Sequence, residues 1–206
     1  MQVDLATRGG VEEFYHFIAD KSQPVDLLMA NAGCGLSKGF LDQELGDALH
    51  VIETKVTGTI SLIHRVGNDM RARGAGRILI TGSIAGFIPG AYMAVYNASK
   101  AFLNSFSLAL REELTDTGVT VTCLMPGATE TRFFERAGIL DTELGQADKD
   151  DPADVAKAGF EAMMDNEGDV VSGWKNKIQA AVANITPAGM LADRHAKMAA
   201  PGTAKD

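Results

Sequence analysis

A chain of 206 residues, 46% hydrophobic and 22% charged, is long enough for one domain with a sizeable core. Its formal charge of −8 argues against nucleic acid or an anionic membrane surface as the main partner, and no apolar run reaches the roughly 18 residues of a membrane span. Two cysteines, Cys34 and Cys123, and four histidines, His16, His50, His64 and His195, show no ligand spacing, which speaks against a metal site. The start, MQVDLATRGG, lacks the basic-then-apolar pattern of a signal peptide, so reduced thiols and a cytoplasmic protein are expected.

Strands alternate with helices along the chain. Gln2–Leu5 reads as a strand remnant, Val11–Asp20 as a helix, and the continuous apolar run Val25–Asn31 as a buried strand. Leu41–Arg73 carries Leu45, Leu49, Ile52, Val56, Ile60 and Ile63 at helical spacing, and Gly74–Gly76 ends it. Arg77–Thr81 is a predicted strand, Met93–Thr115 a helix, and Val119–Met125 a β-branched strand ended by Pro126. Thr131–Ala137 and Pro152–Met164 follow as helices, Asp169–Ser172 as a last strand and Lys175–Ala183 as a last helix. The small, polar stretch from Ala196 predicts a disordered tail over 196–206, leaving one domain over 1–195. This alternation implies an α/β fold with a parallel sheet covered on both faces.

The segment Thr81–Lys100, TGSIAGFIPGAYMAVYNASK, concentrates the chemistry. Tyr96 and Lys100 are four apart and share a helix face. A Lys ammonium beside a Tyr hydroxyl favours the phenolate. A depression of roughly three units from about 10 makes that hydroxyl an acid/base near neutrality. Ser83 ends the preceding strand-like run, where its hydroxyl can bond the same substrate oxygen. A proton donor, a charge that tunes it and a second polar anchor suit carbonyl–alcohol interconversion. Tyr-x-x-x-Lys alone recurs on many solvated helices, so the weight lies on Ser83 and on two further motifs.

Those motifs are VDLLMANAG over Val25–Gly33 and LMPGATET over Leu124–Thr131. With TGS and YNASK, in this order and spacing, the chain resembles the short-chain dehydrogenase/reductase family from Asp4 to about Trp174. GFIPGAYMAVYNASKAFLNSFSLALREEL and TRFFERAG look most like its broad-substrate bacterial oxidoreductase branch. The resemblance implies a Rossmann-like doubly wound parallel sheet and an NAD(P)-dependent oxidoreductase, with NADP slightly favoured over NAD. It makes Tyr96 the acid/base, Lys100 the residue that tunes it and reaches the nicotinamide ribose, and Ser83 the carbonyl anchor. It assigns cofactor binding to Asp4, Asn31, Ala32, Gly33, Tyr96, Lys100, Pro126, Gly127, Thr129 and Thr131. Thr131 reads equally as a plain helix cap, and Gly33 as a tight strand exit. It also implies a homodimer or homotetramer paired through Leu41–Arg73 and Met93–Thr115.

Two departures qualify the resemblance. The family's Thr-Gly-x-x-x-Gly-x-Gly turn is not found, and aligned on Asn-Ala-Gly, Met1 falls in the family's third strand. The fold is therefore expected to lack its first two strands, with an incomplete or misplaced start as the simplest reason. Without those strands Gln2–Leu5 has no neighbour, and Val25–Asn31 becomes an exposed apolar edge. Second, the family's catalytic Asn aligns with Lys55 in TKVTG. Lys55 either faces the site and alters the proton relay, or snorkels to solvent and the relay is lost. Leu36, Phe40, Ile84, Phe87, Tyr92, Met93, Phe133 and Phe134 flank the motifs and point to a small hydrophobic carbonyl or alcohol as substrate. The alternative is a catalytically inactive fragment acting as a binding or oligomerisation module.

Overall fold

The structure, a computed structural model, describes residues 1–204. Helix α1 (Arg8–Ala19) begins where the Thr7 side chain accepts the Gly10 N–H. Strand β1 (Leu27–Ala30) leads into a short 3-10 turn, Phe40–Asp42, and helix α2 (Leu45–Ile52). A π-helical turn, Glu53–Gly58, joins α2 to α3 (Thr59–Arg73) without a break in the chain's helical course. Gly74, in the left-handed region at φ 74°, ends α3. Then come β2 (Gly76–Thr81), a 3-10 turn at Ile84–Phe87, α4 (Ala94–Glu113) and β3 (Val119–Met125). Short helices α5 (Phe133–Ala137) and α6 (Glu143–Gln146) precede α7 (Pro152–Met164). Strand β4 (Asp169–Val171), α8 (Trp174–Ile185) and α9 (Ala188–Ala199) complete the described chain.

The four strands form one parallel sheet in the order β1-β2-β3-β4. Side chains alternate across it. Ile78, Ile80, Val119 and Val121 face α1, α3 and α4, where Val11, Leu62, Val66, Met70 and Leu103 close the larger core. Leu79 and Leu124 face the opposite way, against Val155 and Met163 of α7. The central strands β2 and β3 are thus covered on both sides, as expected of parallel pairing. The expected α/β sheet is present.

The edge at β1 differs from a buried strand. Leu28 is buried, but Leu27 is 40% and Met29 47% exposed, because no helix lies over that side of the strand among the described residues. The expected apolar edge is therefore real. Gln2–Leu5, by contrast, is not a strand. Among the described residues β1 pairs only with β2, and Gln2–Leu5 leads into a turn in which the Ala6 N–H binds the Asp4 carboxylate. The other corrections follow from contacts remote in sequence. The stretch read as one helix over 41–73 is a 3-10 turn, an α-helix, a π turn and a second α-helix. Ala196–Ala199 close α9 rather than opening a tail, and the Gly202 and Ala204 N–H groups bond to Asp141. Lys205 and Asp206, the rest of that expected tail, lie outside the described residues.

Candidate active site

The site gathers at the carboxyl ends of β1, β2 and β3, where open α/β sheets place their ligands. Ser83 follows β2 and is 6% exposed. Its backbone is clamped from both sides by Asn104 on α4. The Ser83 N–H donates to Asn104 Oδ1 at 3.2 Å, and Asn104 Nδ2 donates to the Ser83 carbonyl at 2.9 Å. The Ser83 hydroxyl accepts the Ala85 N–H and donates to the Pro126 carbonyl at 3.2 Å. The serine is thus tied to α4 and to the end of β3 at once. Asn104→Ala empties both ends of a buried clamp. A loss of about 2–4 kcal/mol of stability, measured by denaturant unfolding, is the expected outcome.

Helix α4 brings Tyr96 and Lys100 to the same spot. The Tyr96 ring packs on Phe133 of α5, with centroids 5.0 Å apart. Nearby, Met93, Phe134, Ala137 and Ile139 form an apolar cluster that Tyr96 and Phe133 join. Burial pushes the Tyr96 hydroxyl up to about 12, against a smaller downward pull from the Ser83 hydroxyl. The expected depression by Lys100 is not met here. The Lys100 ammonium donates to the Thr81 carbonyl at 2.6 Å. Burial lowers Lys100 to about 8.

Lys55 decides between its two sequence readings. It is 2% exposed, on the π turn, with its amine 4.2 Å from the centre of the Tyr96 ring. It faces the site and does not snorkel. Burial, then the neighbouring Lys100, bring its pKa down to about 6. A π turn is where helices often swing a functional side chain out of register. No sequence signal in TKVTG announces it.

The other sequence-derived positions spread around this centre. Asn31, Ala32 and Gly33 lie exposed just beyond β1, and a Cβ on Gly33 would meet the Lys55 amine at 3.0 Å. Pro126 and Gly127 follow β3, and Gly127 packs so closely on the Asn176 side chain that only a bare backbone fits. Asn176 also donates to Asp150 and to the Ser172 carbonyl. The Thr129 hydroxyl bonds to the Gly127 carbonyl, and the Thr131 hydroxyl accepts the Phe133 N–H at the start of α5. Asp4 sits in the turn before α1, capping its own backbone. Asn97, buried beside Tyr96, donates to the Ala85 and Ile88 carbonyls and so fixes the Ser83 loop to α4. Sequence reasoning missed Asn97, Asn104 and Asn176. Their one available sign was a polar residue in a helical stretch: Asn97 in the first turn of α4, Asn104 midway along it and Asn176 in the first turn of α8. Two crevices elsewhere, one between α8 and α9 at Val182, Met190 and Leu191 and one at Tyr15, Val25 and Asp69, touch none of these residues.

Among the described residues no group of His, Cys, Asp or Glu could hold a metal, and no helix is long and apolar enough to cross a membrane. The short chain dehydrogenase family model matches residues 1–139. An uncharacterized oxidoreductase of Staphylococcus saprophyticus is 32% identical over 161 residues, covering 78% of this chain and 67% of that protein. An uncharacterized oxidoreductase of Myxococcus xanthus is 30% identical, with 79% of this chain and 62% of that protein covered, so the match spans about two thirds or less of these relatives. The closed form of a serine dehydrogenase complexed with NADP+ superposes with a TM-score of 0.73 at 29% identity, covering 83% of this chain and 73% of that one. A short-chain dehydrogenase from Sphingobium yanoikuyae, in complex with NADPH, gives a TM-score of 0.76 at 24% identity over 91% of this chain and 75% of that one, which shows the fold. With its parallel sheet, its Ser83, Tyr96 and Lys100 brought to the strand ends, and a family match over residues 1–139, the chain belongs to the short chain dehydrogenase family.

Proposed function

We propose that this chain carries the substrate and nicotinamide side of an NAD(P)-dependent oxidoreductase that interconverts a carbonyl and an alcohol. The observation that carries the reading is the convergence of Ser83, Tyr96 and Lys100 at the ends of β2 and β3, beside an apolar wall of Met93, Phe133 and Phe134. That wall favours a small hydrophobic substrate over a sugar or a charged acid.

The residues present suit the nicotinamide and its ribose. Lys100 has three N–H donors, of which the Thr81 carbonyl takes one, so donors remain for a ribose hydroxyl. Gly127 keeps the backbone bare beside them. The resemblance adds to the cofactor side Pro126, Thr129 and Thr131, which follow β3, and Asn31, Ala32 and Gly33, which follow β1. Among the described residues no strand–glycine turn–helix unit suits the pyrophosphate, and Asp4 is engaged in its own turn. A bound nicotinamide supplies the hydride. Tyr96, protonated across the neutral range, gives its proton to the carbonyl oxygen in reduction and recovers it in oxidation. Ser83 holds that oxygen, while Lys100 supplies positive charge below it. The NADP+ in the serine dehydrogenase complex supports NADP over NAD.

Self-association is part of the same reading. Leu45, Leu49 and Ile52 on α2 and Phe102 and Leu108 on α4 are exposed, although α2 and α4 pack together, and they support a homodimer or homotetramer. Carbonyl-dependent oxidation of NADPH by the full chain tests the function. Turnover on hydrophobic ketones or aldehydes supports it; a folded chain with none across such a panel favours the catalytically inactive module.

A further inference from the structure

Two lysines are buried together behind Tyr96: Lys55 is 2% and Lys100 7% exposed. Among the described residues neither pairs with a carboxylate. The groups facing Lys55 are Cys34 after β1 and Lys100 and Tyr96 on α4. Those facing Lys100 are Lys55, the Thr81 carbonyl and Cys123 on β3. Lys55 lies over the Tyr96 ring, and Tyr96 and Lys100 are one turn apart on α4, so the two amines are neighbours in one buried cluster. Ammonium groups donate and cannot accept, so a bond between them requires one to be the free base. Lys100 has a carbonyl for its charge, 2.6 Å away. Among the described residues the Lys55 amine makes no hydrogen bond to a carbonyl; it faces the Tyr96 ring and the bare backbone of Gly33.

We propose that Lys55 is a positioning residue for Lys100: its uncharged amine accepts an N–H from the Lys100 ammonium and holds it at the floor of the site. The order of the two titrations, about 6 for Lys55 and about 8 for Lys100, agrees with this assignment. A residue that only donated in its charged form thereby becomes an acceptor. The contact has a built-in limit. Below about pH 6 Lys55 takes up a proton, the bond becomes a repulsion, and Lys100 is displaced. The consequence for turnover rests on the oxidoreductase reading; the charge state does not.

The test starts with NMR titration of the full chain labelled with ¹³C at lysine Cε, which reads protonation without turnover. One lysine with a midpoint near 6, absent from Lys55→Met, is the expected result. In Lys55→Met the Lys100 midpoint then falls by about one unit, because an acceptor is gone. In Lys55→Asn, which keeps an acceptor, it falls less. A Lys100 midpoint that rises in Lys55→Met means that Lys55 was a like charge, and overturns the proposal. So does a Lys55 that stays protonated above pH 8. In turnover, kcat/KM of the unmodified chain drops about tenfold from pH 7 to pH 5, and this drop disappears in Lys55→Asn. An unchanged acid limb in Lys55→Asn contradicts the positioning role. Absence of turnover in the unmodified chain counts against the proposed function alone, and the lysine titration still decides the charge state.

Discussion

Replacing Tyr96 by Phe lowers carbonyl-dependent NADPH oxidation by about 10²–10⁴-fold, the range that a positioned general acid contributes. The hydroxyl is removed without disturbing the ring. Packing on Phe133 at 5.0 Å and the Lys55 amine over the ring both survive in the variant. Cofactor affinity therefore changes little while kcat collapses. Steady-state rates together with NADPH binding separate the two. A variant that retained more than about a tenth of the rate would assign the proton to another group. The burial that lifts Tyr96 to about 12 also predicts that reduction shows no alkaline loss from this residue until well above pH 9.

The second large effect is on stability. Lys55→Met stabilises the fold by on the order of 4 kcal/mol at pH 7, since each unit of pKa displacement is about 1.4 kcal/mol and the buried amine must shed its proton to fold. The sign follows from linkage. Between about 6 and 10.5 the unfolded chain holds a proton on Lys55 that the folded chain does not, so stability rises with pH across that window. Lys100 adds the same trend between about 8 and 10.5. In Lys55→Met the rise between pH 6 and 8 is lost, and urea unfolding at several pH values measures it. An equally steep rise in the variant would show that Lys55 is not buried uncharged.

Much of the fold was legible because its signals are local. Val119–Met125 and Pro152–Met164 match their observed bounds, the first set between Gly118 at φ 78° and Pro126, the second capped by Asp151 with Pro152 behind it. Ser83, Tyr96 and Lys100 were legible for the same reason, being close in one strand–turn–helix segment. What sequence could not supply depends on partners far along the chain. Gln2–Leu5 has strand composition but no strand to join, and α9 is held by contacts such as His195 Nδ1 to the Ala91 carbonyl at 2.9 Å. The Asn104 clamp on Ser83 spans 21 positions and the Asn176 bond to Asp150 spans 26. Lys55 was undecided for a related reason. Whether a lysine snorkels or turns inward depends on a π turn and on the space left by Gly33, neither of which a window of sequence reveals.

Isothermal calorimetry of the folded full chain with NADPH bears most directly on the proposed oxidoreductase. Saturable binding of one NADPH per chain, weakened in Lys100→Met, is the predicted result, because Lys100, lowered only to about 8, is a buried cation at the strand ends at neutral pH. A chain that circular dichroism shows to be folded but that takes up no NADPH or NADP+ would contradict it, and would leave the site with its serine, tyrosine and lysines but without the hydride they are arranged to use.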